Sequence, residues 1–364
     1  MTAEAPLRAP LADRAARVGA GRVSSRVVAV DVLRLLASFQ MIQGHTLGAL
    51  AAPSALEGPL FAPWTFARGL TSVAFLFAAG LAFHLTTLVD LPRHLASEGA
   101  VKKRFTRTVT LVVIGYVLHI PIGTPLAQFL IVDVLQCIGV TLALAELFAV
   151  LFRRAWLVVT ASGLVAVACI AAAPLAASVD ATGPLGFLQN YVVRSGGSLF
   201  PLAPYAANLL LGIVAGAIAL PHGARTPRRT TFTRLALLSL LLYAAHTLVA
   251  RFETQHDPQV DAGYALLKLS IVVAASASLV LLTFPVERLP RALETLCGET
   301  LVLYVAHLLI IFPAGIGLVQ WVGPVLSLPA AMALAVVLMG ISSALALAWH
   351  ARGKRPPLFS RAGD

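Results

Sequence analysis

Apolar residues run along most of this chain in long unbroken stretches, with neither the alternation of a half-buried strand nor the polar-backed stripe of a surface helix. A helix needs about 20 such residues to cross the hydrocarbon core of a bilayer. Ten stretches fit that template: 27–50, 67–90, 106–122, 128–152, 155–177, 199–220, 234–250, 263–284, 299–319 and 326–349. Their continuity predicts spanning helices and speaks against a barrel, whose strands alternate apolar and polar residues. The expected fold class is therefore an all-α integral membrane protein of about ten transmembrane helices. A basic tail (1–26) precedes the polytopic domain (27–349), and a second basic tail (350–364) follows it. Small residues at Ala49–Ala51 mimic a signal-peptidase site, but the first run exceeds 20 residues and holds Asp31 and Arg34, so a retained span is expected there.

Composition agrees with the pattern. Of 364 residues 59% are hydrophobic and 12% charged, and the mean hydropathy is +0.87. Those values exclude a water-soluble core, and they exclude disorder, which needs low hydrophobicity and abundant charge. A net charge of +11 would point a soluble protein toward nucleic acid. Here its placement decides. With the N-terminus in the cytoplasm, 22 of the 27 Lys and Arg fall in inner segments or at inner helix ends. Only Arg68, Arg194, Arg251 and Lys268 fall outside, and Arg34 stays in the membrane. The split follows the positive-inside rule, predicts cytoplasmic termini and removes the case for nucleic acid. Cys137, Cys169 and Cys297 show no ligand or disulfide spacing and are read as small hydrophobes; no metal site is indicated.

The longest outer connections, 178–198 and 251–262, are too short to fold alone, so any chemistry belongs to the helices. An ionisable group at bilayer depth costs about 2.5–3.5 kcal/mol or more and is a functional-site hypothesis by default. Arg34 and His45 lie 11 residues apart, about 16 Å along one helix with a residual rotation of about 20°, so they share a face. Asp31 can pair with Arg34, and that pair alone fits a purely structural lock between helices equally well. His45 lies toward the outer end, where a neutral imidazole can take a proton from a hydroxyl or amine; a hydrogen-bonded packing histidine is the alternative. His119 and Asp133 fall in the outer half by rise counting, and Tyr304 and His307 share a face with Thr300 one turn earlier. His84 and His246 read as packing histidines, and Glu146 as a residue that snorkels or pairs with a loop Arg.

The segment RVVAVDVLRLLASFQMIQGH (26–45) resembles the first helix of the transmembrane acyltransferases, where an Arg and a His stand at the spacing of Arg34 and His45. AFLFAAGLAF (74–83), Arg104-Phe-Thr-Arg107, VLQCIGVT (134–141) and GETLVLYVAHLL (298–309) extend the resemblance in order. VLQCIGVT in particular is similar to the heparan-alpha-glucosaminide N-acetyltransferase branch, and the whole is closest in pattern to its bacterial members and to acyltransferase-3 proteins. Thr300 departs from a common Ser, and the luminal part that precedes the first helix in animal heparan acetyltransferases has no counterpart before residue 26, which weakens transfer of the heparan substrate.

The resemblance implies acetyl-CoA or another acyl-CoA as cytoplasmic donor and a glycan or other small acceptor on the far side of a bacterial inner membrane. His45 is then the general base or an acyl carrier, and Arg34 contacts pantetheine or holds Asp31. His119 and Asp133 orient the His45 ring, bind acceptor or make structural bonds. Lys103, Arg104 and Arg107 receive the CoA phosphates, against simple positive-inside anchoring. Tyr304 and His307 line the acyl-CoA channel or bond between helices. Monomer and homodimer both remain open. The rival class is a secondary transporter with a buried Asp/Arg/His relay.

Overall fold

A computed structural model describes residues 27–59, 61–119, 131–178, 186–192, 198–253 and 261–353. The expected tails at 1–26 and 354–364, and Arg194, lie outside the described residues; 350–353 belong to the last helix. In chain order the principal helices are α1 (Val28–Leu50), α2 (Phe61–Phe83), α3 (Glu98–Val117), α4 (Val134–Phe152), α5 (Ala155–Ser178), α6 (Leu202–Ala219), α7 (Arg228–Val249), α8 (Ala262–Leu282), α9 (Arg291–Gly298), α10 (Thr300–Ile311) and α11 (Leu328–Gly353). Strand-like pairing among the described residues is confined to one bridge, Ala51 with Leu326.

Seven helices are long and apolar enough to cross a membrane: α2 with the π-helical turn His84–Leu88 that continues it, α4, α5, α6, α7, α8 and α11. The pair α9 and α10, bent by 72° at Glu299, makes an eighth if taken as a single broken span. α1 has 23 residues and α3 has 20, lengths that also suit a bilayer, but α1 carries Asp31 and Arg34 and α3 opens on Lys102, Lys103, Arg104 and Arg107. The molecule is a multi-pass helical membrane protein.

Inside lipid, helices associate by close packing and not by escape from water, so small residues mark the closest crossings. α2 and α6 meet at Gly80 and Gly212. A Cβ on Gly80 would overlap the Leu209 carbonyl oxygen, and one on Gly212 would overlap that of Phe77. One face of α2 (Val73, Phe77, Leu81) packs against α1, α6 and α8, and the other (Leu76, Phe83) against α4 and α6. α7 buries only Thr231 and Leu235 and turns Leu240, Leu241 and Leu248 outward, as a lipid-facing helix does. Cys137 and Cys169 are free thiols, and Cys137 and Cys297 are buried in these contacts. This packing leaves α1, α2, α3, α4, α8 and α10 around a common cavity.

Candidate active site

α1 and α10 run side by side, and two polar rungs join them. At one level an Arg34 Nη2 donates to the Thr300 hydroxyl at 2.7 Å. At the other, His45 Nδ1 lies 3.0 Å from His307 Nε2. Thr300, Tyr304 and His307 stand at i, i+4 and i+7, so one face of α10 carries all three, each of them buried.

The ring nitrogens have a determinate arrangement. His307 Nδ1 lies 2.8 Å from the Leu303 carbonyl oxygen, which can only accept, so this nitrogen carries the proton. In a neutral His307 the Nε2 atom is then bare and accepts from His45 Nδ1. That leaves His45 Nε2 with a free lone pair. His307 is fully buried behind this contact and is absent from the cavity wall, whereas His45 lines it. A carbonyl–imidazole–imidazole chain thus presents a hydrogen-bond acceptor on the wall, with its tautomer fixed by the chain behind it. The partner that orients the His45 ring is His307; His119 and Asp133 do not fill that role.

Asp133 caps α4. Its Oδ1 accepts from Val134 N at 2.7 Å, and Gln136 reaches back to Asp133 N, so sequence and cap chemistry agree. Oδ2 accepts from the Tyr304 hydroxyl at 3.2 Å and lies 3.7 Å from His119 Nε2. His119 donates through Nδ1 to Gly115 O at 2.8 Å. Asp133 and Tyr304 line the cavity; His119 supports Asp133 from behind.

At the other end of α2 the π-helical turn sets two hydroxyls side by side. One Arg104 Nη2 donates to Thr86 at 2.8 Å and to Thr87 at 2.7 Å, while the guanidinium lies over Phe83, 5.5 Å from the ring centre. Behind it Glu146 is fully buried. Its Oε2 is 3.9 Å from Arg104 Nε, and its Oε1 is 2.6 Å from His94 Nε2. Of the two expectations for Glu146 the pairing with an Arg of the inner segment holds and snorkelling does not: the carboxylate is enclosed in protein, beside Arg104, and also pairs with a histidine 52 residues away. Arg104 and Arg107 line the cavity; Lys103 is exposed on another face of α3 and does not.

The cavity has a volume of ≈ 660 Å³, within the range that encloses most of a drug-sized ligand. It extends from Arg104 and Thr86 past Arg34 and His45 to Arg68 and Lys268. Arg68 and Thr86 are 18 residues apart on one continuous helix, about 27 Å along its axis. Among the described residues the lining holds five cationic side chains and a single carboxylate, Asp133. An anion-binding channel with a bare imidazole nitrogen at His45 is the chemistry this lining offers.

A family model described as heparan-alpha-glucosaminide N-acetyltransferase, catalytic, matches residues 26–250. The chain belongs to this family. It is thus a membrane acetyltransferase by family, and the matched stretch covers Arg34, His45, Arg104, Arg107 and Asp133, while Lys268, Thr300, Tyr304 and His307 come from the part that follows. No curated protein matches the chain. Arg68, Lys268, His94 and the two threonines were not among the candidates from sequence. The first two were set apart in sequence as cations expected on the outer side by the positive-inside rule; His94 carried no signal.

Proposed function

We propose that the chain is an acyl-CoA-dependent O- or N-acyltransferase that works across a bacterial inner membrane, with ten spans and cytoplasmic termini. Acyl-CoA, acetyl-CoA first among them, enters from the cytoplasm with its phosphates at Arg104 and Arg107, and pantetheine runs past Arg34 toward His45. A glycan or similar acceptor arrives from the opposite mouth. His45 Nε2 accepts the proton of the acceptor hydroxyl or amine as its oxygen or nitrogen attacks the thioester carbonyl. A C–O or C–N bond forms, the C–S bond breaks, and the leaving thiolate takes the proton back from the imidazolium. His307 holds the His45 tautomer that leaves Nε2 bare.

One observation carries this reading: a bare imidazole nitrogen, its tautomer set by a second histidine, on the wall of a cavity that reaches from one cluster of cations to another. Membership of an acetyltransferase family supports transfer over the transporter reading. Two measurements on purified protein test it. Acetyl-CoA, among a panel of acyl-CoAs, raises thermal stability by mass action, and free CoA is released when an acceptor is added. Solute flux into liposomes with no stabilisation by acyl-CoA and no CoA release is the result that favours transport.

A further inference from the structure

We infer that the Thr71 hydroxyl is the oxyanion donor of the site, hydrogen-bonded to the thioester carbonyl oxygen as the acceptor attacks the carbonyl carbon. The inference rests on the acyltransferase reading and adds to it a residue that touches the reacting atoms.

Thr71 lies on α2 and borders the cavity. The residue is 8% exposed, and its Oγ1 is buried with no hydrogen-bond partner. A buried hydroxyl in a helix commonly turns back on its own backbone: Ser38, Thr46, Thr141 and Ser276 all donate to the carbonyl oxygen four residues earlier. Thr71 makes no such bond to Ala67. Among the described residues His84, Glu146, Ser162, Glu253 and Ser342 also hold a buried side-chain atom without a hydrogen-bond partner, but of this set only Thr71 borders the cavity. An unpaired buried hydroxyl lowers stability, so its place on the wall of a binding site points to a ligand that supplies the missing partner.

Register sets the hydroxyl at the level the reaction needs. A Cβ on Gly44 would come 2.9 Å from Arg68 Cδ, which puts Arg68 opposite the residue before His45. Thr71 follows Arg68 by three residues, about 4.5 Å along the axis toward Thr86 and Arg104, so it flanks His45 on the donor's side. Other polar groups on the wall are engaged or lie elsewhere. Arg34 donates to Thr300, about 16 Å from His45 along α1. The Tyr304 hydroxyl donates to Asp133, and Thr86 donates to Ala82 O. The Arg68 guanidinium reaches out to Gly48, on the acceptor's side. As the acceptor's oxygen or nitrogen bonds to the carbonyl carbon, the π pair moves onto the carbonyl oxygen, and Thr71 O–H donates to that oxygen without giving up its proton. The pair returns as the C–S bond breaks. A donor fixed beforehand in a water-poor site stabilises this charge more than water does.

The test compares full-length wild type, Thr71→Val and Thr71→Ser in detergent, with acetyl-CoA as donor and glucosamine as the acceptor probe. Valine keeps the shape and removes the hydroxyl, so kcat should fall by about 100-fold or more with the KM for acetyl-CoA little changed. Thermal stability of Thr71→Val without ligand should hold or rise, because an unpaired buried group has gone. Serine restores the donor and should recover most of the rate. An infrared measurement reads the contact without turnover: the carbonyl stretch of bound acetyl-CoA, isotope-labelled at the carbonyl carbon, should lie lower in wild type and Thr71→Ser than in Thr71→Val. Wild-type kcat in Thr71→Val overturns the inference, as does equal loss in both variants or a loss of rate that tracks a loss of stability. If wild type binds acetyl-CoA but releases CoA with no acceptor, the acyltransferase reading fails and the carbonyl stretch alone decides: a difference between wild type and Thr71→Val keeps the contact, and identical stretches overturn it. Absence of acetyl-CoA binding overturns both.

Discussion

The two ends of the cavity both present arginine, yet they hold it differently. Arg104 is braced on every side: two threonine hydroxyls from a π-helical turn, the Phe83 ring, and a fully buried Glu146 tied to His94. Arg68 rests on an indole and in a groove of glycines, and it is exposed. A guanidinium pinned by protein donors and acceptors is pre-organised for one ligand shape; one laid on apolar surface keeps its hydrogen-bonding capacity for whatever arrives. The contrast fits a fixed donor at the Arg104 end and a variable acceptor at the Arg68 end. The histidine pair belongs to neither.

That contrast can be broken by substitution. His307→Leu removes the group that holds the His45 tautomer, so kcat should fall by about 100-fold or more with little change in either KM. His307→Gln, whose amide oxygen still accepts from His45 Nδ1, should recover part of the loss; equal loss in both variants would make His307 a packing residue. Arg104→Ala should raise the KM for acetyl-CoA by about 10- to 100-fold and leave the preference among acceptors unchanged, and a shift in that preference would erase the distinction between the ends. Glu146→Gln acts only through Arg104 and His94, so a rise of about 3- to 10-fold in the KM for acetyl-CoA is expected, seen in initial rates. Smallest is Gly48→Ala: its methyl meets Arg68 Nη1, and the KM for the acceptor should rise about two- to threefold, with the donor unaffected.

The helical membrane architecture was legible because spanning a bilayer leaves a plain trace, continuous apolar runs of about 20 residues. The polar rungs were half legible. Arg34 and His45 showed as a shared face of one helix, and Thr300, Tyr304 and His307 as a shared face of another, but periodicity says nothing about which faces meet. His45 therefore had several candidate orienting partners in sequence, and only the packing of α10 on α1 selects His307. For Glu146 the pairing with an Arg was foreseen as one of two alternatives, but its histidine partner was not, since His94 comes from a short helix that periodicity does not place. Lys103 shows the opposite failure: adjacent to Arg104 in a basic run, it points off the cavity because neighbours in a helix face different ways.

The claim that His45 is the proton acceptor at the transferring centre is tested most directly by the release of free CoA from acetyl-CoA and an acceptor, measured for wild type and for His45→Ala side by side with the thermal stabilisation that acetyl-CoA gives each. Transfer should be lost in the variant by at least about 100-fold, with stabilisation by acetyl-CoA retained. Wild-type CoA release by a variant that folds and binds acetyl-CoA would contradict it.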